Sequence, residues 1–240
     1  MASSTRWAAR ARTTAQLPMV ERYDLAANAW QAVAPMGTAR QEHAVAVLDG
    51  KVYAVGGFND GVGHLSSVER YDPATNAWEA VAPMATTRVD HAMAVLNDGK
   101  LYAVGGFDGV RLSSVERYDP AANAWEAVAP VAELRDELAV AVLDGKLYAV
   151  GGLNDDGWLS SVERYDLALG VWEAVAPMAT ARGYHAVAVL DGKLYAVGGG
   201  NYDDGHNRLS SVERYDPALD AWEAVAPMGK ARLSPGVTLL

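Results

Sequence analysis

Residues 65–82 read Leu-Ser-Ser-Val-Glu-Arg-Tyr-Asp-Pro-Ala-Thr-Asn-Ala-Trp-Glu-Ala-Val-Ala, and residues 112–129 repeat them with one change, Thr75 against Ala122. Within that stretch, Val68–Asp72 sets apolar Val68 and Tyr71 among polar residues and is read as a strand. Asp72-Pro73 opens a turn, and Ala77–Val81 supplies another strand. Pro83 ends it, because proline has no N–H to donate to a ladder. Upstream, His43–Leu48 is a run of small and branched apolar residues suited to an inner strand. Asp49-Gly50 then provides the left-handed residues of a tight hairpin, and Lys51–Val55 runs back to Gly56-Gly57. One unit is therefore four short strands. Helical periodicity is absent, which predicts an all-β chain.

The unit recurs. Val-Glu-Arg-Tyr-Asp begins at Val20, Val68, Val115, Val162 and Val212, at spacings of 48, 47, 47 and 50. A Trp follows each Tyr by seven residues, and a loop Arg keeps the same rhythm at Arg40, Arg88, Arg135, Arg182 and Arg232. A fixed period of this size makes each unit a supersecondary block that stacks on its neighbours, so the 240 residues are expected to form one repeat domain. The absence of Cys removes disulfides, thiolate metal sites and thiol nucleophiles. A net charge of −10 argues against nucleic acid as a partner, since phosphate binding needs clustered Lys and Arg. No apolar run has the length of a membrane-spanning helix.

Four-stranded units at this period predict a β-propeller. The marks of the kelch family are present in order: Gly-Gly, a Tyr 12–16 residues later, then the Trp, as in Gly57/Tyr71/Trp78, Gly106/Tyr118/Trp125, Gly152/Tyr165/Trp172 and Gly199/Tyr215/Trp222. The chain resembles that family over about residues 17–240. The resulting expectation is an all-β, five-bladed kelch-type β-propeller with four antiparallel strands per blade. Residues 40–87, 88–134, 135–181 and 182–231 form whole blades. Residues 1–39 form a partial blade with a degenerate second strand, and 232–240 supply its closing first strand. Kelch rings most often have six or seven blades, so a count of five departs from the usual pattern. Thr5–Ala11 fits the missing second strand in the register of Lys100–Gly106, with Trp7 matched to Tyr102. The same N-terminal segment, rich in Arg, Thr and Ser, also resembles the start of an organellar transit peptide. A cytoplasmic location is the default.

Physical roles follow for the repeated residues. Gly-Gly stands where a Cβ would collide with a neighbour. Tyr and Trp fill wedges between twisted sheets. The Glu and Arg of each Val-Glu-Arg-Tyr-Asp copy are expected to pair between or along blades.

Differences between repeats concentrate in two loop classes, those after Gly-Gly and those between blades. Strand parity in an antiparallel meander sends both classes to one face. Loops held on a rigid scaffold are the usual place for binding. The candidate binding residues are Glu42, Asp60, Asp90, Asp108, Arg111, Asp136, Glu137, Asp155, Asp156, Trp158, Tyr184, Tyr202, Asp203, Asp204 and Arg208. The resemblance implies a protein or peptide ligand on this face, and the acidic loops select a neutral or basic one. A kelch adaptor that captures acidic peptides carries Arg two positions after the loop Arg. Here that position holds Glu42, Asp90, Glu137, Tyr184 and Ser234, so acidic-peptide specificity does not transfer.

Two alternatives stand beside binding: a structural or engineered repeat scaffold without a dedicated ligand, and a sugar-acting kelch enzyme at the channel mouth. The first follows from the near-identity of two repeats and from the drift open to unselected loops. Against the second, most charged residues are repeated copies, and a catalytic site needs asymmetry. The Cys–Tyr crosslink of the copper-oxidase branch has no Cys to form it. No catalytic residue, cofactor or metal is expected. His43, His91 and His185 share one repeat position and are read as strand-end residues hydrogen-bonded to a neighbouring loop, and Asp203, Asp204 and Asn207 as a solvated turn. The expected state is a monomer.

Overall fold

The computed structural model describes residues 7–8, 18–201 and 207–237. Every regular element among them is a strand, and no helix is long and apolar enough to cross a membrane. Four sheets repeat one meander. In the 40–87 repeat the order is Ala44–Leu48, Lys51–Val55, Val68–Asp72 and Ala77–Val81, each strand antiparallel to the next. The sheets of the 88–134, 135–181 and 182–231 repeats keep that order.

The expected turn chemistry is in place. Asp49 and Gly50 both take positive φ, 50° and 73°, matching the twist of the flanking strands. At the other turn, Asp72 Oδ1 accepts the Ala74 amide at 2.9 Å and the Tyr71 hydroxyl donates to Asn76 Oδ1 at 2.8 Å. Tyr71 is buried and lies 5.2 Å, centroid to centroid, from Trp78, so one cross-strand pair fixes register and fills volume together.

The chain divides into two compact units, Met1–Val89 and Asp90–Leu240. The first contains a three-stranded sheet, Trp7–Ala8, Val20–Asp24 and Ala29–Val33, and the sheet of the 40–87 repeat. Trp7 stands opposite Arg22, the register in which Tyr102 stands opposite Arg117. Within this unit Val20, Met36 and Ala54 form a buried cluster backed by Val33 and Trp78. In the second unit, Leu143, Tyr148, Val150, Val162 and Met178 pack against Leu194, Ala196 and Tyr215, so neighbouring sheets bury their apolar faces on one another. Residues 232–237 carry no strand, and 238–240, the rest of the expected closing strand, lie outside the described residues.

The Glu and Arg of Val-Glu-Arg-Tyr-Asp each find a partner, but of different kinds. Glu69 takes the buried loop Arg40 at 2.7 Å, whereas Arg70 reaches across the sheet to the exposed Glu79 at 2.6 Å. Alternation explains the split, since adjacent strand residues point to opposite sheet faces. The loops after Gly-Gly also contain small hairpins, Phe58–Asn59 with Gly63–His64 and Leu153–Asn154 with Gly157–Trp158. Each is closed by an asparagine: Asn59 Oδ1 accepts the Gly61 and Val62 amides, and Asn154 Oδ1 those of Asp156 and Gly157.

Candidate binding face

Backbone pairing ties the two variable loop classes together. Gln41 bridges Phe58 in the first unit; Asp136 bridges Leu153 and Gly183 bridges Gly200 in the second. These bridges lie against the Gly-Gly pairs. A Cβ on Gly57 (φ 95°) would come within 2.6 Å of the Gln41 carbonyl oxygen, and one on Gly152 (φ 105°) within 2.6 Å of that of Asp136. Glycine is therefore required both by conformation and by the closeness of the loop.

The residue two after the loop Arg is left-handed in every repeat: Glu42, Asp90, Glu137, Tyr184 and Ser234 have φ between 47° and 54°. Such conformations cost a non-glycine residue about 1 kcal/mol or more, and the surrounding bonds must hold them. In the second unit those bonds form a continuous ladder. The Glu137 amide donates to the Asp90 carbonyl, Tyr184 to Glu137 and Ser234 to Tyr184, at 3.0, 3.1 and 2.7 Å. Asp90, Glu137 and Tyr184, three of the sequence candidates, are thereby brought together with Ser234.

Charge is unevenly solvated along this ladder. Burial pushes the Glu137 carboxyl up to about 7; a side-chain hydrogen bond with Tyr184 opposes the rise, and nearby Asp136 and Asp90 add to it. Glu137 Oε2 is buried with no hydrogen-bond partner among the described residues. Asp136 is buried and also raised by desolvation, partly offset by Arg111. Arg111 bridges two loops, with Nε 3.1 Å from Asp136 Oδ1 and a terminal nitrogen 2.9 Å from Asp155 Oδ1. Trp158 covers Gly183: a Cβ there would lie 2.2 Å from Trp158 Cζ3 and 3.3 Å from Glu137 Oε2.

The other candidates are more dispersed. Glu42 and Asp60 are exposed on the first unit, and Asp156 and Arg208 on the second. Asp108 is half-buried and accepts the Val110 amide of its own loop. Tyr202, Asp203 and Asp204 lie outside the described residues. Gly183 and Ser234 join the face without having been among the candidate binding residues. Their signal was positional, one beside a loop Arg and one at the left-handed site.

His185 departs from the expected hydrogen-bonded strand end. It is buried, and among the described residues both ring nitrogens lack a hydrogen-bond partner. Burial, then the Arg182 guanidinium, lowers its pKa to about 3 and keeps it neutral. It packs instead on glycine backbone: its Cβ lies 2.7 Å from where a Gly199 Cβ would be. Burial likewise lowers His43, to about 4. Among the described residues no group of three or more His, Asp or Glu is placed to hold a metal ion.

The family model described as Kelch motif matches residues 39–85, 87–131, 135–179 and 181–229. Among solved structures, one described as "Structure of YjhT" superposes with a TM-score of 0.80 at 17% identity, covering 91% of this chain and 80% of that one. At that identity the likeness concerns the fold alone. No curated protein sequence matches the chain.

Proposed function

The chain belongs to the kelch family, and from that membership we propose that it is a protein- or peptide-binding propeller. Its ligand meets the face built from the interblade loops and the loops between strands two and three. The ring has five blades, the last completed by the two chain ends, and works as a monomer. The observation that carries the reading is the Asp90–Glu137–Tyr184–Ser234 ladder. It holds four consecutive loops in a strained but shared conformation, and among the described residues a buried Glu137 oxygen has no donor. A preorganised surface of this kind lowers the ordering cost of binding. Its acidic groups favour a neutral or basic segment over an acidic one, through both encounter rate and selection against like charge.

A peptide array graded by net charge, probed with the wild type and with a variant carrying Glu42, Asp90 and Glu137 changed to Lys, tests this. The expected result is selective retention of neutral and basic peptides by the wild type, with those peptides lost from the variant. Identical profiles for the two proteins would overturn the assignment of the face. No selective retention by either would favour the scaffold reading, for which the near-identity of residues 65–82 and 112–129 is the supporting observation.

A further inference from the structure

In one loop of the second unit a side chain is held as a ligand would be. Glu69 is a buried hub that accepts from the Gly37 and Thr38 amides and from Arg40. Glu163 does the same with Ala132, Glu133 and Arg135, and Glu213 with Ala179, Thr180 and Arg182. Only the amides of the paired loop residues enter the hub, so their side chains are free to differ. At Glu133 that freedom is used. Its Oε2 accepts the Ser161 hydroxyl at 2.6 Å and lies 3.5 Å from the Arg135 guanidinium, which is itself fully buried. A carboxylate thus reaches a serine hydroxyl backed by a buried cation.

The first unit has the same receptor without the carboxylate. Ser67 accepts from Arg40 at 3.3 Å as Ser161 does from Arg135 at 3.0 Å. Arg40 is paired with Glu69 at 2.7 Å as Arg135 is with Glu163 at 2.9 Å. Thr38, however, stands where Glu133 does, and Gly37 where Ala132 does; the other repeats carry Ala85-Thr86, Ala179-Thr180 and Gly229-Lys230, so Gly-Thr occurs once. Among the described residues nothing accepts the Ser67 hydroxyl proton, and the Thr38 hydroxyl has no partner. The vacated space is a cleft of about 550 Å³. Its walls include Pro35, Trp78 and Pro83, and Thr38, Ser67 and Glu69 supply its polar part. A Cβ on Gly37 would come 3.1 Å from Glu69 Oε2, so glycine keeps that wall bare.

We propose that this cleft binds a small organic carboxylate, with the acid group in the place of the Glu133 head group and the apolar body against Trp78 and the two prolines. The Ser67 hydroxyl donates to the acid, the Arg40 guanidinium supplies positive charge behind it, and the Thr38 hydroxyl adds a second donor. Glu69 does not forbid an acid here. Its own carboxylate is taken up by two amides and Arg40, and its equivalent Glu163 coexists with Glu133 around one arginine. The occupant is a small molecule because the cleft has the volume of a small-ligand site. None of the peptide-face residues lines it, and the inference stands independently of that reading.

Fluorine NMR titration of the full chain tests the site, with para-fluorophenylacetate as probe and the neutral para-fluorophenethyl alcohol as its match. The acid is expected to bind roughly tenfold more tightly than the alcohol, the gain of a charge-assisted hydrogen bond. Ser67→Ala brings the acid down to the level of the alcohol. Thr38→Glu copies Glu133, keeps the backbone bonds to Glu69, and weakens the acid by roughly tenfold or more by filling its place. Because Ser67 also accepts from Arg40, its loss can disturb the fold; Thr38→Glu leaves that bond alone and decides the matter by itself. Equal affinity of the wild type for acid and alcohol, or no binding of the acid, would overturn carboxylate recognition. Undiminished acid binding by Thr38→Glu would put the probe elsewhere and overturn the cleft as its site.

Discussion

The Arg182 guanidinium lies 2.7 Å from Glu213, with side chains 0% and 3% exposed, and it also donates to the Gly198 and Ser211 carbonyls. This side chain joins an interblade loop to three positions of its own blade, Gly198, Ser211 and Glu213. Removing one partner leaves a buried charge without compensation, which typically costs about 3–5 kcal/mol. Arg182→Met is therefore expected to lower Tm by roughly 6–15 °C in thermal unfolding followed by near-ultraviolet circular dichroism. Arg182→Met with Glu213→Gln should lose less than the single change. Equal losses would place the stability in something other than charge compensation.

The cross-strand pair Arg70–Glu79 offers the contrast. Glu79 is half exposed, so Coulomb attraction is weakened by solvent and the geometry is held at an entropic cost. Glu79→Ala should change stability by about 1 kcal/mol or less in urea unfolding. A loss approaching that of Arg182→Met would contradict the distinction between buried hub and surface pair.

Glu137 makes stability depend on pH in a defined direction. Its folded pKa, about 7, stands above the ordinary glutamate value. The contribution is fully present when both states are protonated, below about pH 4, and is lost as pH rises through 7. Glu137→Gln removes this dependence. The variant's Tm, relative to the wild type, should rise between pH 5 and pH 8 by about 2–4 °C. A constant difference across that range would mean that Glu137 titrates normally.

Gly183 bears on the face through packing. An added Cβ meets the Trp158 ring at 2.2 Å, so Gly183→Ala must displace the indole. The expected outcome is a red-shifted Trp emission and a weakened hold on the array peptides, with a Tm loss of only a few degrees. An unaltered emission spectrum would show that the ring accommodates the methyl group where it stands.

Much of the fold was legible because each repeat is locally consistent. Asp49-Gly50 has one comfortable backbone solution, Val68 and Tyr71 put apolar side chains on both faces of a strand that is covered on both, and Pro83 can only stop a strand. The loop arginines were recognisable as repeated elements. Their partners were not, because alternation sends Glu69 inward to Arg40 and Arg70 outward to Glu79 although the two are chain neighbours. Of the face, the sequence indicated which loops vary. The ladder through Asp90, Glu137, Tyr184 and Ser234 depends on backbone groups that every residue possesses, and no side-chain pattern announces it.

The sequence by itself determined the repeat, the strand order within each sheet, the glycine pairs and the family. All of these rest on interactions within one repeat or on the identity of one residue. Only the tertiary structure decided the environment of each copy. Glu21 and Glu213 occupy identical five-residue contexts, yet one is exposed and the other is a buried hub. His185 is buried and neutral, although its residue type suggested a hydrogen-bonded strand end. Glu137 is shifted toward neutrality, while exposed Glu42 holds the same place in its own loop. The physical reason is common to all three. Burial and charge compensation depend on what lies across the gap between neighbouring sheets, and chain-local pattern carries no record of that.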